Sequence, residues 1–288
     1  MKKMFNRFYK IIFFAIVLTP IAKATEKLFI PSHPQPKAAL FIALHGCLTD
    51  SKVSEQDTRL SEFGEKYGFY VLYPEPELGA ESRGCFDFYS SESQEPGHGD
   101  AAVIVSKIQE LEKTYDIDEQ KIFVLGMSGG ASLVSVLTSC YPTVFSGAAI
   151  HSGMGYGLAK NWKESLIVAQ TGPLSVIQRN TACTPSDYKG KMFLIQGSRD
   201  TVMNPQHYST LKKDYFSEMS KTSNYVTGKL NHYNYIHQRF YVNNELKGQG
   251  IYVLGMNHEW SGENPINPLG LRGPDVSKMI VEFFLNNH

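Results

Sequence analysis

Three residues of this 288-residue chain have the types and spacing for nucleophilic chemistry: Ser128, Asp200 and His258. Ser128 stands in Gly126-Met127-Ser128-Gly129-Gly130, after the apolar run Lys121–Leu125 and before a helical stretch, Ala131–Cys140. Gly-x-Ser-x-Gly between a strand and a helix is the setting of a nucleophile elbow. Side chains at Gly126 and Gly130 would collide with backbone in so tight a turn, so glycine is required there. The turn lifts the hydroxyl clear of the sheet, and the following helix N-terminus offers amides to a developing anion. The five-residue pattern alone fits a glycine-rich turn with a passive serine equally well. The strand before it and the helix after it favour the elbow.

A nucleophilic serine needs a base, and the base needs a carboxylate to hold its tautomer and stabilise its charged form. Asp200 follows the strand-like run Lys191–Gln196, and His258 follows Gly250–Leu254. The order Ser128, Asp200, His258 is that of strand-turn-helix hydrolases and differs from the chymotrypsin and subtilisin orders. An Asp after a strand is, taken alone, more often a turn or cap residue, so Asp200 draws its support from the other two. His258-Glu259 lacks a second histidine at helical spacing and is no zinc motif. Neither a metal nor another cofactor is expected.

The oxyanion of an acyl-transfer intermediate needs two amides, one from the residue after the nucleophile and one from an earlier strand-end loop. These are assigned to Gly129 and Cys47, with Leu48 the alternative to Cys47. His45 precedes Ser128 in the chain, so it reads as a structural histidine fixing that loop. His232 and His237 lie in a polar, Tyr-rich segment and read as surface residues. Asp100 reads as a helix N-cap. The cluster Cys85-Phe86-Asp87-Phe88-Tyr89 either binds substrate through Phe86 and Phe88 or packs its loop down; Trp260, beside His258, presents the same choice.

The elements that position these residues alternate. Strand-like runs cover Ala38–Leu44, Phe69–Tyr73, Lys121–Gly126, Phe145–His151, Lys191–Gln196 and Gly250–Leu254. Amphipathic segments cover Val53–Lys66, Asp100–Tyr115, Ala131–Cys140, Pro205–Ser220 and Pro274–Leu285. Such alternation predicts an α/β fold, a mostly parallel central sheet with helices on both faces. Every residue assigned chemistry falls just past a strand, where active sites of such sheets lie.

Residues 1–24 read as a secretory signal peptide: a basic start, the apolar core Ile11–Ala22, and Ala22-Lys23-Ala24 at the cleavage site. The core is shorter than the roughly 20 residues that span a bilayer and carries Pro20, so no membrane anchor is expected. Residues 25–288 then form one catalytic domain, secreted or periplasmic. The whole chain is formally neutral, and losing the five leader cations (Lys2, Lys3, Arg7, Lys10 and Lys23) leaves −5. A net negative domain without a basic patch argues against nucleic acid as a partner. No linker or repeat marks an appended binding module, so a monomer acting alone is expected. Four cysteines in an exported chain predict two disulfides, with three pairings open.

With these residues in hand, the chain resembles the polyhydroxybutyrate-depolymerase-like esterases, a group close to the feruloyl and acetyl xylan esterases. The resemblance rests on His45-Gly46-Cys47, Cys85-Phe86-Asp87-Phe88, the Gly126–Gly130 elbow, the run Tyr141–Gly153 and Gly255-Met256-Asn257-His258-Glu259-Trp260-Ser261-Gly262. It extends from about Leu40 to Phe284. What it implies is an α/β-hydrolase fold acting on carboxylic esters, with Ser128 as nucleophile, His258 as base and Asp200 as its orienter. It also implies the pairs Cys47–Cys85 and Cys140–Cys183, the first pinning the oxyanion loop to the aromatic loop. Two departures bear on substrate choice: Glu263 replaces a glycine common in the family, and Phe86 and Phe88 stand where a tryptophan is usual. The expected substrate is a poly- or oligo(3-hydroxybutyrate)-type ester, the alternative a feruloyl or acetyl ester of plant cell walls. A non-catalytic binding protein on the same fold is the alternative of another class.

Overall fold

A computed structural model describes residues 26–77, 84–174, 178–217, 220–230, 233–262 and 273–286. The expected leader, residues 1–24, and Glu263 and His232 lie outside the described residues. The fold grows from strand β2 (Ala38–Leu44), whose seven residues are all buried. Its alternate side chains enter two cores. Leu40, Ile42 and Leu44 pack with helices α3 (Gly99–Thr114) and α4 (Gly129–Cys140). Ala39, Phe41 and Ala43 pack on the opposite face with Leu60 and helix α7 (Val276–Leu285). A strand covered on both faces reads as a continuous apolar run, which is why this one was legible.

Nine strands form a single sheet among the described residues. Strand β3 (Tyr70–Tyr73), β2, β4 (Ile117–Met127), β5 (Gly147–His151), β6 (Lys191–Gly197) and β9 (Glu245–Leu254) run parallel in that spatial order. Strand β1 (Lys27–Phe29) adds antiparallel to β3, and β8 (Tyr233–Val242) with β7 (Ser220–Leu230) extends the other edge antiparallel from β9. The mostly parallel α/β architecture expected from the alternation is the one observed, and it forms a single domain. No helix among the described residues is long and apolar enough to cross a membrane.

Several local expectations are corrected. The helix expected over 53–66 is two helices, α1 (Ser51–Thr58) and α2 (Leu60–Tyr67). Arg59 between them has φ +51°, and its guanidinium pairs with Asp275 at the start of α7. Helix α5 (Trp162–Thr171), capped by Asn161 accepting from the Glu164 amide at 3.0 Å, was not expected, nor was the β7–β8 extension. His237, read as a surface residue, is buried on β8, with Nε2 2.7 Å from Gln249 Oε1. Its neighbour on β9 supplies the partner that a polar local sequence could not reveal.

The parallel strands carry Ser128, Asp200 and His258 to one end of the sheet, beyond the strands' carboxyl ends. β4 ends at Met127, β6 at Gly197 and β9 at Leu254, and all three run the same way.

Candidate active site

The turn between β4 and α4 holds Ser128 at φ +56° and ψ −118°, a conformation that L side chains rarely adopt. Its surroundings explain the glycines. A methyl group on Gly126 would stand 2.5 Å from the Gly130 carbonyl carbon, and one on Gly130 would stand 2.4 Å from the His45 carbonyl oxygen. Backbone cannot yield to either. The Ser128 amide donates to the His151 carbonyl at 3.0 Å, and the Ser128 carbonyl accepts from the Ser132 amide and hydroxyl, both at 2.9 Å. Gly129 is the first residue of α4, so its N–H has no partner within the helix.

Asp200 and His258 meet across the gap between the β6 and β9 ends, with Nδ1 of His258 donating to Asp200 Oδ2 at 2.8 Å. The Asp200 carboxylate is saturated. Oδ1 accepts from the Val202 amide at 3.0 Å and the Met203 amide at 2.7 Å. Oδ2 also accepts from Gln196 Nε2 at 3.1 Å, and the Ser152 hydroxyl helps to stabilise the charge of the same carboxylate. Burial alone would raise this carboxyl, but the His258 bond and charge, the Met203 amide and the Ser152 hydroxyl outweigh it and hold it below the usual range. Asp200 is therefore an anion with its lone pairs occupied, one of them by His258.

Ser128 and His258 line one cavity of about 300 Å³, together with Gly46, Cys47, Thr49, Asp57, Glu259 and Trp260. Cys47 is bonded to Cys85, and Cys140 to Cys183. Cys47 follows β2 in the loop facing the elbow, where a methyl on Gly46 would touch Ser128 Cβ at 3.3 Å. His45 lies beneath this loop, buried. Its Nδ1–H donates to the Gly46 carbonyl at 2.8 Å, and Nε2 sits 3.2 Å from Glu75 Oε2 but off the hydrogen-bonding direction. Burial raises the Asp57 carboxyl above its ordinary range, so the α1 wall of the cavity carries a weakened acid.

Phe86 and Phe88 do not line this cavity. Phe86 is 1% exposed with its ring 4.7 Å from that of His45, and Phe88 packs beside Gly129. The disulfide joins the aromatic loop to the loop bearing Cys47, and these rings pack beneath that loop rather than line the cavity. Trp260 does reach the cavity, although it is only 9% exposed. Its indole N–H donates to Ser277 Oγ at 2.9 Å, and its ring stacks on His151 at 4.9 Å. Asp100 is not the N-cap of α3, a position taken by His98. Buried instead, Asp100 accepts from the Glu77 amide at 2.9 Å and the Asp87 amide at 2.7 Å, bracing the two ends of the aromatic loop. Among the described residues no group of three or more His, Cys, Asp or Glu could hold a metal ion.

Sequence reasoning passed over two polar residues of this site, His151 and Ser152, both fully buried at the end of β5. The available signal was position. His151 ends a parallel strand at the same end of the sheet where Ser128, Asp200 and His258 also emerge.

Comparison with known proteins places this geometry. The family described as Esterase PHB depolymerase matches residues 26–216, well over half of the chain. Poly(3-hydroxyalkanoate) depolymerase C of Paucimonas lemoignei is 31% identical over 143 residues, covering 50% of this chain and 34% of that protein. Acetylxylan esterase A of Talaromyces purpureogenus is 25% identical over 245 residues, covering 80% of this chain and 63% of that one. The chain thus spans from about a third to just under two-thirds of the length of these curated relatives. Among solved structures, the acetyl xylan esterase from Aspergillus awamori superimposes with a TM-score of 0.65 at 21% identity, covering 81% of this chain and 88% of that one. A Thermus thermophilus protein does so with a TM-score of 0.56 at 17% identity, covering 91% and 94%. At those identities the likeness is one of fold.

Proposed function

The chain belongs to the Esterase PHB depolymerase family, and from that premise we propose that it hydrolyses carboxylic esters through an acyl-enzyme on Ser128. The observation that carries the reading is the 2.8 Å bond from His258 Nδ1–H to a buried, saturated Asp200, with His258 and Ser128 on one cavity. A proton fixed on Nδ1 leaves Nε2 as the acceptor, the tautomer a general base needs.

In the first half-reaction Ser128 Oγ attacks the ester carbonyl while its proton passes to His258 Nε2. The tetrahedral oxyanion is stabilised by the Cys47 and Gly129 amides. Collapse breaks the C–O bond, and the imidazolium returns its proton to the departing alcohol. Water then gives a proton to His258, attacks the acyl carbon and releases the acid, with the proton returning to Ser128.

The substrate we assign is an oligomeric 3-hydroxybutyrate-type ester. The depolymerase relative supports this assignment with the higher of the two quoted identities, and a cavity of about 300 Å³ fits a short acyl unit. Acetyl esters of plant polysaccharides are the second reading, favoured by a relative that aligns over 80% of this chain. Cleavage of a leader at residues 1–24 and export belong to the same proposal, in keeping with two disulfides.

The test is hydrolysis by the purified, oxidised protein of p-nitrophenyl acetate to octanoate, methyl ferulate, acetylated xylan and 3-hydroxybutyrate oligomers, with Ser128→Ala alongside. Turnover that disappears in the variant is expected, with oligomers preferred. A folded protein inert on the whole panel overturns the esterase reading in favour of a binding protein on this fold.

A further inference from the structure

One buried residue outside the three proposed above touches the elements carrying all of them. The His151 carbonyl accepts from the Ser128 amide at 3.0 Å. Its Nε2 lies 3.1 Å from the amide of Ser261, three residues beyond His258. Its Nδ1 lies 3.2 Å from the Ser152 hydroxyl, a group that helps to hold the Asp200 carboxylate in its charged form. Its ring stacks on Trp260, two residues beyond His258, at 4.9 Å and 26°.

These contacts leave one consistent set of protons. A backbone N–H only donates, so Nε2 of His151 is the acceptor and carries no proton. In the neutral ring the proton is then on Nδ1 and is donated to Ser152 Oγ. The Ser152 hydroxyl, with its oxygen taken, turns its own proton to Asp200. Each donor thus points toward the carboxylate that holds His258. Complete burial, then the charge of His258, push the His151 ring down to about 3, so it stays neutral while the site works. Ser152 sits at φ +51°, a strained backbone in keeping with a constrained role.

We propose that His151 is the positioning residue of this site, mooring the His258 loop through Ser261 and orienting the Ser152 hydroxyl onto Asp200. The catalytic consequence rests on the esterase reading; the electrostatic one does not. The titratable groups around the cluster are Asp200 and His258. His207, on helix α6 (Gln206–Phe216), feels the Asp200 charge but has its Nε2 on the Val168 carbonyl at 2.8 Å.

His151→Phe keeps the ring and its stacking on Trp260 but removes both nitrogens. Ser152→Ala removes only the hydroxyl and adds no bulk at the strained position. Without the Ser152 donor, more negative charge on Asp200 faces His258 and favours the imidazolium. The acid limb of the kcat/KM profile is therefore expected to move to higher pH in both variants. In His151→Phe kcat is expected to fall about tenfold or more with KM within about twofold. The two changes act through one chain of bonds, so the double variant is expected to move the limb no further than the larger single. His151→Asn, which restores a donor near Nδ1, is expected to return the limb toward the parent position.

The His258 ring titration, followed by NMR in the folded proteins, gives the same comparison without turnover. If the parent shows no esterase activity, the functional reading fails while this arm still decides the inference. An alkaline displacement in the variants supports it. An unmoved titration in folded Ser152→Ala, or shifts that simply add in the double variant, reduces His151 to a packing residue and overturns it. Should His151→Phe fail to fold, Ser152→Ala alone decides.

Discussion

Gly129 lies against the sulfur of Cys47, so close that a methyl built on the glycine would stand 2.4 Å from Cys47 Sγ and 3.0 Å from Cys85 Sγ. The two amides proposed for the oxyanion thus belong to residues in mutual contact, brought there by one disulfide. In Gly129→Ala the bridge must shift, and with it the loop bearing the Cys47 amide. Stability is expected to drop by about 1–3 kcal/mol, the usual cost of overpacking. A kcat loss of about tenfold or more should accompany it, read from initial rates and a denaturation curve. A variant with parental kcat would remove the bridge from the proposed oxyanion machinery.

The two disulfides enclose loops of nearly equal length, with separations of 38 and 43 residues. Chain-entropy arithmetic assigns each about 4 kcal/mol, so paired Cys→Ser replacements should lower stability alike. Activity should separate them. Loss of Cys47–Cys85 is expected to cost kcat up to the hundred- to thousandfold typical of one oxyanion donor. Loss of Cys140–Cys183, neither of which lines the cavity, should leave kcat within about threefold. Parallel kinetics and urea denaturation of the two double variants distinguish the outcomes.

Asp200→Asn changes one atom and reverses one hydrogen bond. The Asn oxygen stays with the Val202 and Met203 amides that Oδ1 now accepts, which turns the NH₂ toward His258 and Gln196. A donor facing Nδ1 favours the other His258 tautomer, with the proton on Nε2 and no acceptor for Ser128. A fall in kcat of about 10³–10⁴ is expected, with the far-UV circular dichroism unchanged.

Stability should depend on pH through His151. Its folded-state value is pushed from 6.5 down to about 3, so between those limits the unfolded chain binds a proton that the native one does not. Unfolding free energy is therefore expected to fall as pH drops from about 6.5 toward 3, by up to about 1.4 kcal/mol per pH unit from this residue. Asp200, held below its ordinary 3.8, acts in the same direction but in a lower window: its contribution is intact above that value and is lost only as pH falls further through its folded value. Burial also lowers His207 and His237, so urea midpoints between pH 4 and 7 are compared in the parent and in His151→Phe to separate the share of His151. His151→Phe should flatten the slope, and a slope equal to the parent's would assign the dependence elsewhere.

What was legible in the sequence was local. Buried parallel strands announce themselves as unbroken apolar runs, so the core of the sheet could be drawn from β2, β4, β5, β6 and β9, with the flanking helices around it. Gly126 and Gly130 marked the elbow because a tight turn excludes a Cβ there whatever surrounds it. The order of Ser128, Asp200 and His258 followed from their places just past such strands.

Tertiary structure decided which polar and aromatic groups face the cavity and which are walled in. The sequence around His237, Asp100, Phe86 and Phe88 does not specify their burial, because their partners come from other strands and loops. His151 is the clearest case: its Nε2 meets an amide 110 residues away, its Nδ1 the adjacent hydroxyl, and its ring a tryptophan from the His258 loop. Apolar periodicity is written into neighbouring residues, since each element must bury one face. The partner of a buried hydrogen-bonding group is set only when distant segments close on one another, and there the fold, rather than the local pattern, determines the chemistry.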